Sequence, residues 1–262
     1  MNDLKRFFNN SNIKTATILI VLLLIGVKLI IYQLGLEFFT VSRLLTSVIS
    51  GGTFILGFLL AGVFSDYKEA DKMPAELRTA LENIWEDGKM FAHTNKNFNG
   101  DKLTSIIQEI IQSILRDLSH DGGHKDLSTS VDALDKLSPI FIELEQLGMP
   151  ANYVTRLKSE RSTLRKTLLR MHHIQRIDFI PSVYFLAKSL VAGIITLLLL
   201  MKTEVLAETL ILFGAISFLF IYIVRLMPIL EQPFQTGHGT KDDVSLFHLK
   251  EMLNKLNQAE HF

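Results

Sequence analysis

Four long apolar runs constrain the fold of this chain more than any other feature of its sequence. They occupy residues 15–36, 44–67, 179–201 and 205–228. Each exceeds the ~20 residues that an α-helix needs to cross about 30 Å of hydrocarbon, and none has the alternating pattern of a barrel strand. Because a helix satisfies its own backbone hydrogen bonds in lipid, the pattern predicts four transmembrane helices.

The runs form two pairs that are separated by a polar segment. We therefore expect a transmembrane hairpin in residues 1–67, a helical domain in residues 68–177, a second hairpin in residues 178–229 and a tail in residues 230–262. In the polar segment, isoleucines recur at i, i+3 and i+4 spacing after Asp101, which is typical of an amphipathic helix. Strand signals are sparse, so the predicted fold class is all-α and polytopic.

Proline also marks boundaries in the polar segment. Pro74 is well placed to open a helix, because its missing N–H costs nothing in the first turn. Pro150 in the same way opens a long basic helix that leads toward the third apolar run.

The basic residues predict how the chain is oriented. Two hairpins place both termini and the polar segment on one side of the bilayer. That side carries most of the basic residues near the runs, namely Lys5, Arg6, Lys14, Lys68, Lys72 and the cluster from Arg156 to Arg176. The opposite loops carry only Arg43 and Lys202. By the positive-inside rule, we expect a multi-pass protein of the cell (inner or plasma) membrane with cytoplasmic N and C termini.

Composition and motifs exclude several functions. Basic and acidic residues both number 27, so there is no basic surplus for nucleic acid. Cysteine is absent, which excludes disulfides, thiolate metal sites and cysteine nucleophiles. The sequence has no nucleophile elbow, phosphate loop or metal-binding helix. We therefore expect neither an enzyme nor a bound cofactor.

Three segments, in this order along the chain, resemble the bestrophin family of ion channels and its bacterial relatives. The second run contains FILGF at residues 54–58 and is followed by MP at residues 73–74, similar to the family's pore helix. The third run opens with IPSVY at residues 180–184, and ILEQPF at residues 229–234 follows the fourth, with two aspartates at residues 242–243. These are similar to the segments that open the family's third span and close its membrane domain.

The resemblance implies a homo-pentamer in a lipid membrane that passes small inorganic ions, in particular anions such as chloride. It places Ser50, Phe54 and Phe58 in a central hydrophobic neck. The two phenylalanines are four residues apart and share a helix face, and an apolar ring can gate by dewetting. The family has a larger apolar residue at the position of Ser50 and a proline at that of Gly51. From the residues alone, packing or lipid contact is the alternative role of these phenylalanines.

Further positions gain roles from the same resemblance. Ile180 would form a cytoplasmic constriction, although Ile180 and the proline after it can equally just begin the third helix. Pro233 and Phe234 would anchor the tail. Asp242 and Asp243 match the calcium-binding run of animal bestrophins, but calcium takes six to eight oxygens. We therefore expect no metal there.

Charged residues inside the apolar runs are costly and point to function. Lys188, about two turns into the third run, is the candidate for attracting anions, with snorkelling to the membrane surface as the alternative. We expect Lys28 and Arg225 to snorkel. A second functional class stays open, a non-conducting membrane scaffold or sensor whose helical domain binds a partner.

Overall fold

The structure is a computed structural model, and it describes residues 13–40, 42–119, 128–176, 181–202, 204–231, 233–234 and 244–258. Within these ranges the helices are α1 (Ile13–Gln33), α2 (Arg43–Thr94), α3 (Gly100–Ser119), α4 (Ser128–Asp135), α5 (Leu137–Gln146), α6 (Ala151–Arg176), α7 (Pro181–Leu199), α8 (Leu206–Glu231) and α9 (Phe247–Gln258). The predicted all-α fold is confirmed for this part of the chain.

The chain divides into two compact units. The first unit comprises Met1–Asp66 and Asp178–Glu231, and the second comprises Tyr67–Ile177 and Gln232–Phe262. Four helices are long and apolar enough to cross a membrane, namely α1, α2, α7 and α8. Each of them overlaps one of the four predicted apolar runs, and α2 continues well beyond its run to Thr94.

The first helix ends earlier than its apolar run because of a glycine turn. Gly35 has a φ of 65°, in the left-handed region that glycine adopts without strain. The N–H of Leu36 donates to the carbonyl of Ile31, and that of Gly35 to the carbonyl of Tyr32. This pair of bonds is the Schellman motif, which closes a helix and satisfies its last carbonyls.

A buried lysine joins the two loops of the first unit. Lys28 is 0% exposed, and its Nζ donates to Glu37 Oε1 at 2.7 Å and to the carbonyls of Leu199 at 3.1 Å and Met201 at 2.5 Å. An ammonium has three donors, so these contacts use all of them. The sequence prediction that Lys28 snorkels outward is therefore wrong. The acceptors come to the lysine because both loops fold back over the end of α1.

The same loops are also joined through their backbones. Phe39 and Met201 form an isolated parallel bridge, and the N–H of Lys202 donates to the carbonyl of Phe39 at 2.6 Å. The buried ion pair thus lies beside a backbone link between the α1–α2 and α7–α8 connections.

We expect Lys28→Met to lower the free energy of unfolding by about 3 kcal/mol, because it leaves the Glu37 carboxylate without its cation inside the protein. Thermal unfolding of the detergent-purified chain measures this as a lower melting temperature. Lys14→Met changes an exposed lysine of the same helix and serves as the control. Equal melting temperatures for the two variants would contradict a stabilising role for the buried contacts of Lys28.

The second unit is a helical bundle around an aliphatic core. The isoleucine face of α3 lies at its centre, and Ile107, Ile110, Ile111 and Ile114 are fully buried there. Helix α9 adds three further buried side chains to this core, Leu249, Met252 and Leu256. The spacing of the isoleucines after Asp101 therefore predicted the buried face of α3, whereas the sequence analysis did not predict the contribution of α9.

Pro74 differs from its sequence prediction, because it lies inside α2 instead of opening a helix. A proline within a helix removes one backbone hydrogen bond and crowds the preceding turn. The neighbouring Ala70, Met73 and Leu77 are all buried in the core of the second unit. Packing on both sides of the proline thus holds the helix through this position.

A surface ion pair in the second unit, between Glu69 and Arg170, depends on pH. Both guanidinium nitrogens of Arg170 that face Glu69 donate to its carboxylate, at 2.9 and 3.0 Å. These hydrogen bonds lower the pKa of Glu69 below its ordinary value of 4.5. Because the folded-state pKa is the lower one, the pair stabilises the protein above about pH 4.5, and the stabilisation is lost as the pH falls through the folded pKa.

We expect Arg170→Gln to cost about 0.5 kcal/mol at pH 7, as is usual for a pair near the surface. The cost should shrink as the pH is lowered below 4.5, since the carboxyl group then loses its charge in both states. Melting temperatures of the full chain across this pH range test it, with Lys166→Gln on the same helix as the control. A cost independent of pH would refute the assignment.

Candidate functional site: the exposed face of α2

The part of α2 in the first unit has two contrasting faces. Leu45, Gly52, Leu56 and Val63 are buried and follow one helical stripe. On another side, Phe54 is 74% exposed and Phe58 is 72% exposed. Ser50 and Ala61 are exposed as well and extend this row at spacings of three and four residues. We call Ser50, Phe54, Phe58 and Ala61 the phenylalanine face.

The phenylalanine face is uncharged. Between Arg43 and Asp66 the helix has no ionisable side chain. Its nearby hydroxyl groups donate to carbonyls of their own helix, Ser47 to Arg43 and Thr53 to Ile49. An exposed surface of this kind offers aromatic rings and methyl groups and few polar atoms.

The opposite stripe of α2 depends on a glycine. A Cβ at position 52 would lie 2.4 Å from Cδ1 of Ile194 and 3.1 Å from Cδ2 of Leu190, both on α7. A Cβ on the neighbouring Gly51 would meet nothing within 4 Å. Gly52 therefore lets α2 and α7 approach closely, as small residues do in membrane helix packing.

We expect Gly52→Val to destabilise the protein by about 1–3 kcal/mol, because its side chain needs space that Ile194 occupies. Gly51→Val, one residue along the same helix, should leave the melting temperature nearly unchanged. Thermal unfolding in detergent compares the two variants. Equal losses would mean that the close approach to α7 does not set the requirement for glycine.

Lys188 lies within a small polar group of the first unit. Its side chain is exposed, and Nζ is 5.8 Å from the centre of the Tyr184 ring. The Tyr184 hydroxyl in turn donates to the carboxylate of Glu231 at the end of α8. The lysine is therefore held over an aromatic ring by a cation–π contact, and it keeps its charge accessible.

The predicted tail anchor lies in the second unit. Phe234 is almost fully buried in the core of this unit, and Pro233 is buried beside it. The N–H of Val244 donates to the carbonyl of Pro233 at 2.7 Å. These contacts are what an anchor requires, and the role itself stays a prediction.

Three predicted site residues lie outside the described residues: Ile180, Asp242 and Asp243. In the part of the chain that the structure describes, no group of three or more His, Cys, Asp or Glu side chains could hold a metal ion.

Sequence reasoning missed the pairing of Lys28 with Glu37. A charge in the middle of an apolar run, with an opposite charge nine residues further on, was the available signal.

Solved structures share this fold. No family model matches the sequence, and no curated protein matches it. A bacterial bestrophin homologue from Klebsiella pneumoniae, solved by zinc phasing, has a TM-score of 0.74 at 16% sequence identity, over 92% of this chain and 95% of that one. A variant of a bacterial bestrophin homologue from Klebsiella pneumoniae has a TM-score of 0.75 at 15% sequence identity, over 92% of this chain and 96% of that one. The structure of another membrane protein has a TM-score of 0.76 at 16% sequence identity, over 95% of this chain and 98% of that one.

At this level of identity the likeness concerns architecture. The chain has a bestrophin-like fold along more than nine-tenths of its length, as its sequence motifs predicted.

Proposed function

We propose that this chain forms a homo-pentameric ion channel in the cell membrane and conducts small anions such as chloride through a central neck lined by the phenylalanine face of α2. The observation that carries the proposal is the exposure of Phe54 and Phe58, at 74% and 72%, on a spanning helix of a bestrophin-like fold. The resemblance to bestrophins supplies the functional class and the subunit number.

One chain presents a single strip of the neck, so the pathway requires several copies. Cyclic symmetry repeats each side chain around an axis. The copies of Phe54 then form one ring of side chains around the axis, and the copies of Phe58 form a second ring next to it. Ser50 lies on one side of these two rings and Ala61 on the other. The uncharged character of this helix between Arg43 and Asp66 suits a neck that controls flow by wetting, since narrow apolar constrictions expel water.

Ser50 makes the outer end of this neck more polar than its centre. Its hydroxyl group can bond water, and its side chain is smaller than that of a phenylalanine. We therefore assign the main barrier to the two aromatic rings, with a shorter dry segment than a third apolar ring would give.

Residues away from the neck complete the proposal. Lys188, with its exposed ammonium group over Tyr184, attracts anions toward the pathway, and Ile180 forms a second constriction. Pro233 and Phe234 anchor the C-terminal segment. Both termini and the second unit lie in the cytoplasm, in accord with the distribution of lysine and arginine.

Flux measurements test the channel. Purified wild type and Phe54→Ala/Phe58→Ala are reconstituted in liposomes, and chloride and sodium fluxes are followed separately. We expect chloride flux from the wild type and a several-fold faster flux from the double variant, because a wider and less apolar neck stays wet.

The control variant is Ile211→Ala, which removes a similarly exposed side chain from α8 and should leave the flux unchanged. If neither the wild type nor the double variant conducts, the chain is not a channel, and the scaffold or sensor class becomes the better description. Sodium flux equal to chloride flux would reject the anion preference alone.

A further inference from the structure

The loop between α1 and α2 exposes a row of apolar side chains. Leu34 is 66% exposed and Phe38 is 69% exposed, and Leu36 and Phe39 are exposed as well. These residues lie after the end of α1, where a loop between two spanning helices usually meets water. Exposed aromatic and aliphatic groups in such a position require an explanation.

Five backbone N–H groups of this loop donate to carbonyls of the protein itself. The N–H groups of Leu34, Gly35 and Leu36 donate to carbonyls of the last turns of α1. Those of Phe38 and Phe39 both donate to the carbonyl of Leu200, at 3.0 and 3.1 Å. The first three of these bonds close α1, and the other two join the loop to the α7–α8 connection. Inside hydrocarbon every backbone donor must find a partner in the protein.

The charge of the loop is likewise turned inward. Glu37 is the only ionisable residue in residues 34–40, and its side chain is 9% exposed because it reaches the buried ammonium group of Lys28. The loop thus presents its apolar side chains outward and keeps its carboxylate and its bonded N–H groups inside.

We infer that the α1–α2 loop is embedded in the bilayer and that phospholipid acyl chains cover Leu34, Leu36, Phe38 and Phe39. A protein partner or a second copy could offer its own hydrogen-bonding groups to a loop, whereas acyl chains offer none. The link from Phe38 and Phe39 to Leu200 and the inward carboxylate of Glu37 suit a surface that acyl chains cover.

The neighbouring connection marks where the polar surface begins. The N–H of Lys202 donates to Phe39, while the side chains of Lys202 and Glu204 are exposed. Charged groups beside an apolar loop fit the headgroup layer, where lysine extends toward water.

The absence of cysteine from the sequence makes a site-specific test direct. Phe38→Cys is labelled with a nitroxide, the full chain is reconstituted in phosphatidylcholine vesicles, and its collision rates with oxygen and with a water-soluble nickel chelate are measured. Leu22→Cys, on the exposed side of α1, is the lipid reference. Phe247→Cys, exposed in the second unit, is the water reference.

We expect an oxygen-to-nickel ratio for Phe38→Cys several-fold above that of Phe247→Cys and close to that of Leu22→Cys. Ready access of nickel would overturn the inference, since the loop would then lie in water. Poor access of both reagents would overturn it too, since another copy would then cover the loop. Leu34→Cys repeats the measurement if Phe38→Cys does not fold. The outcome does not depend on whether the protein conducts ions.

Discussion

The bilayer supplies no hydrogen bonds, and the first unit is arranged around that constraint. A helix meets it along its length, but charges and loop backbones need other solutions. The ammonium group of Lys28 donates to one carboxylate and two carbonyl oxygens of the protein, which use all three of its donors. The hydrogen bond from the N–H of Lys202 to the carbonyl of Phe39 pairs backbone groups of the two connections between helices. These contacts fix the segment that leads into α2, so the position of the phenylalanine face depends on them.

Helix α2 packs along one side and exposes the proposed neck residues on another. Gly52 and the buried stripe that contains it bring α2 close to α7, with no room for a Cβ. On the phenylalanine face, the rings of Phe54 and Phe58 stay exposed. A helix fixed along one side can hold side chains on the other at defined positions, which a neck of symmetry-related rings requires.

Hydropathy and periodicity predicted the four spans and the isoleucine core, because both properties depend only on residues that are close together in the sequence. The resemblance at residues 54–58 predicted a pore face, and Phe54 and Phe58 are exposed in the structure, while their role in a neck stays a prediction. The pair of Lys28 and Glu37 is local enough for the sequence to have suggested it. The two carbonyl acceptors of Lys28 lie more than 170 residues further along the chain, so local patterns could not predict them. The continuation of the helix through Pro74 depends on packing against other segments, which local patterns do not record. The same kind of packing distinguishes Gly52 from its neighbour Gly51.

Lys28 and Glu37 cannot exchange places, because two of the three acceptors around Lys28 are backbone carbonyls. Exchanging the two residues would preserve a salt bridge on paper, yet a carboxylate at position 28 would face the carbonyl oxygens of Leu199 and Met201, which donate nothing. Arginine brings a larger, planar group with different directions for its donors. Among related sequences, position 28 should therefore be either lysine with an acid nearby or a plain apolar residue, with few intermediates between them.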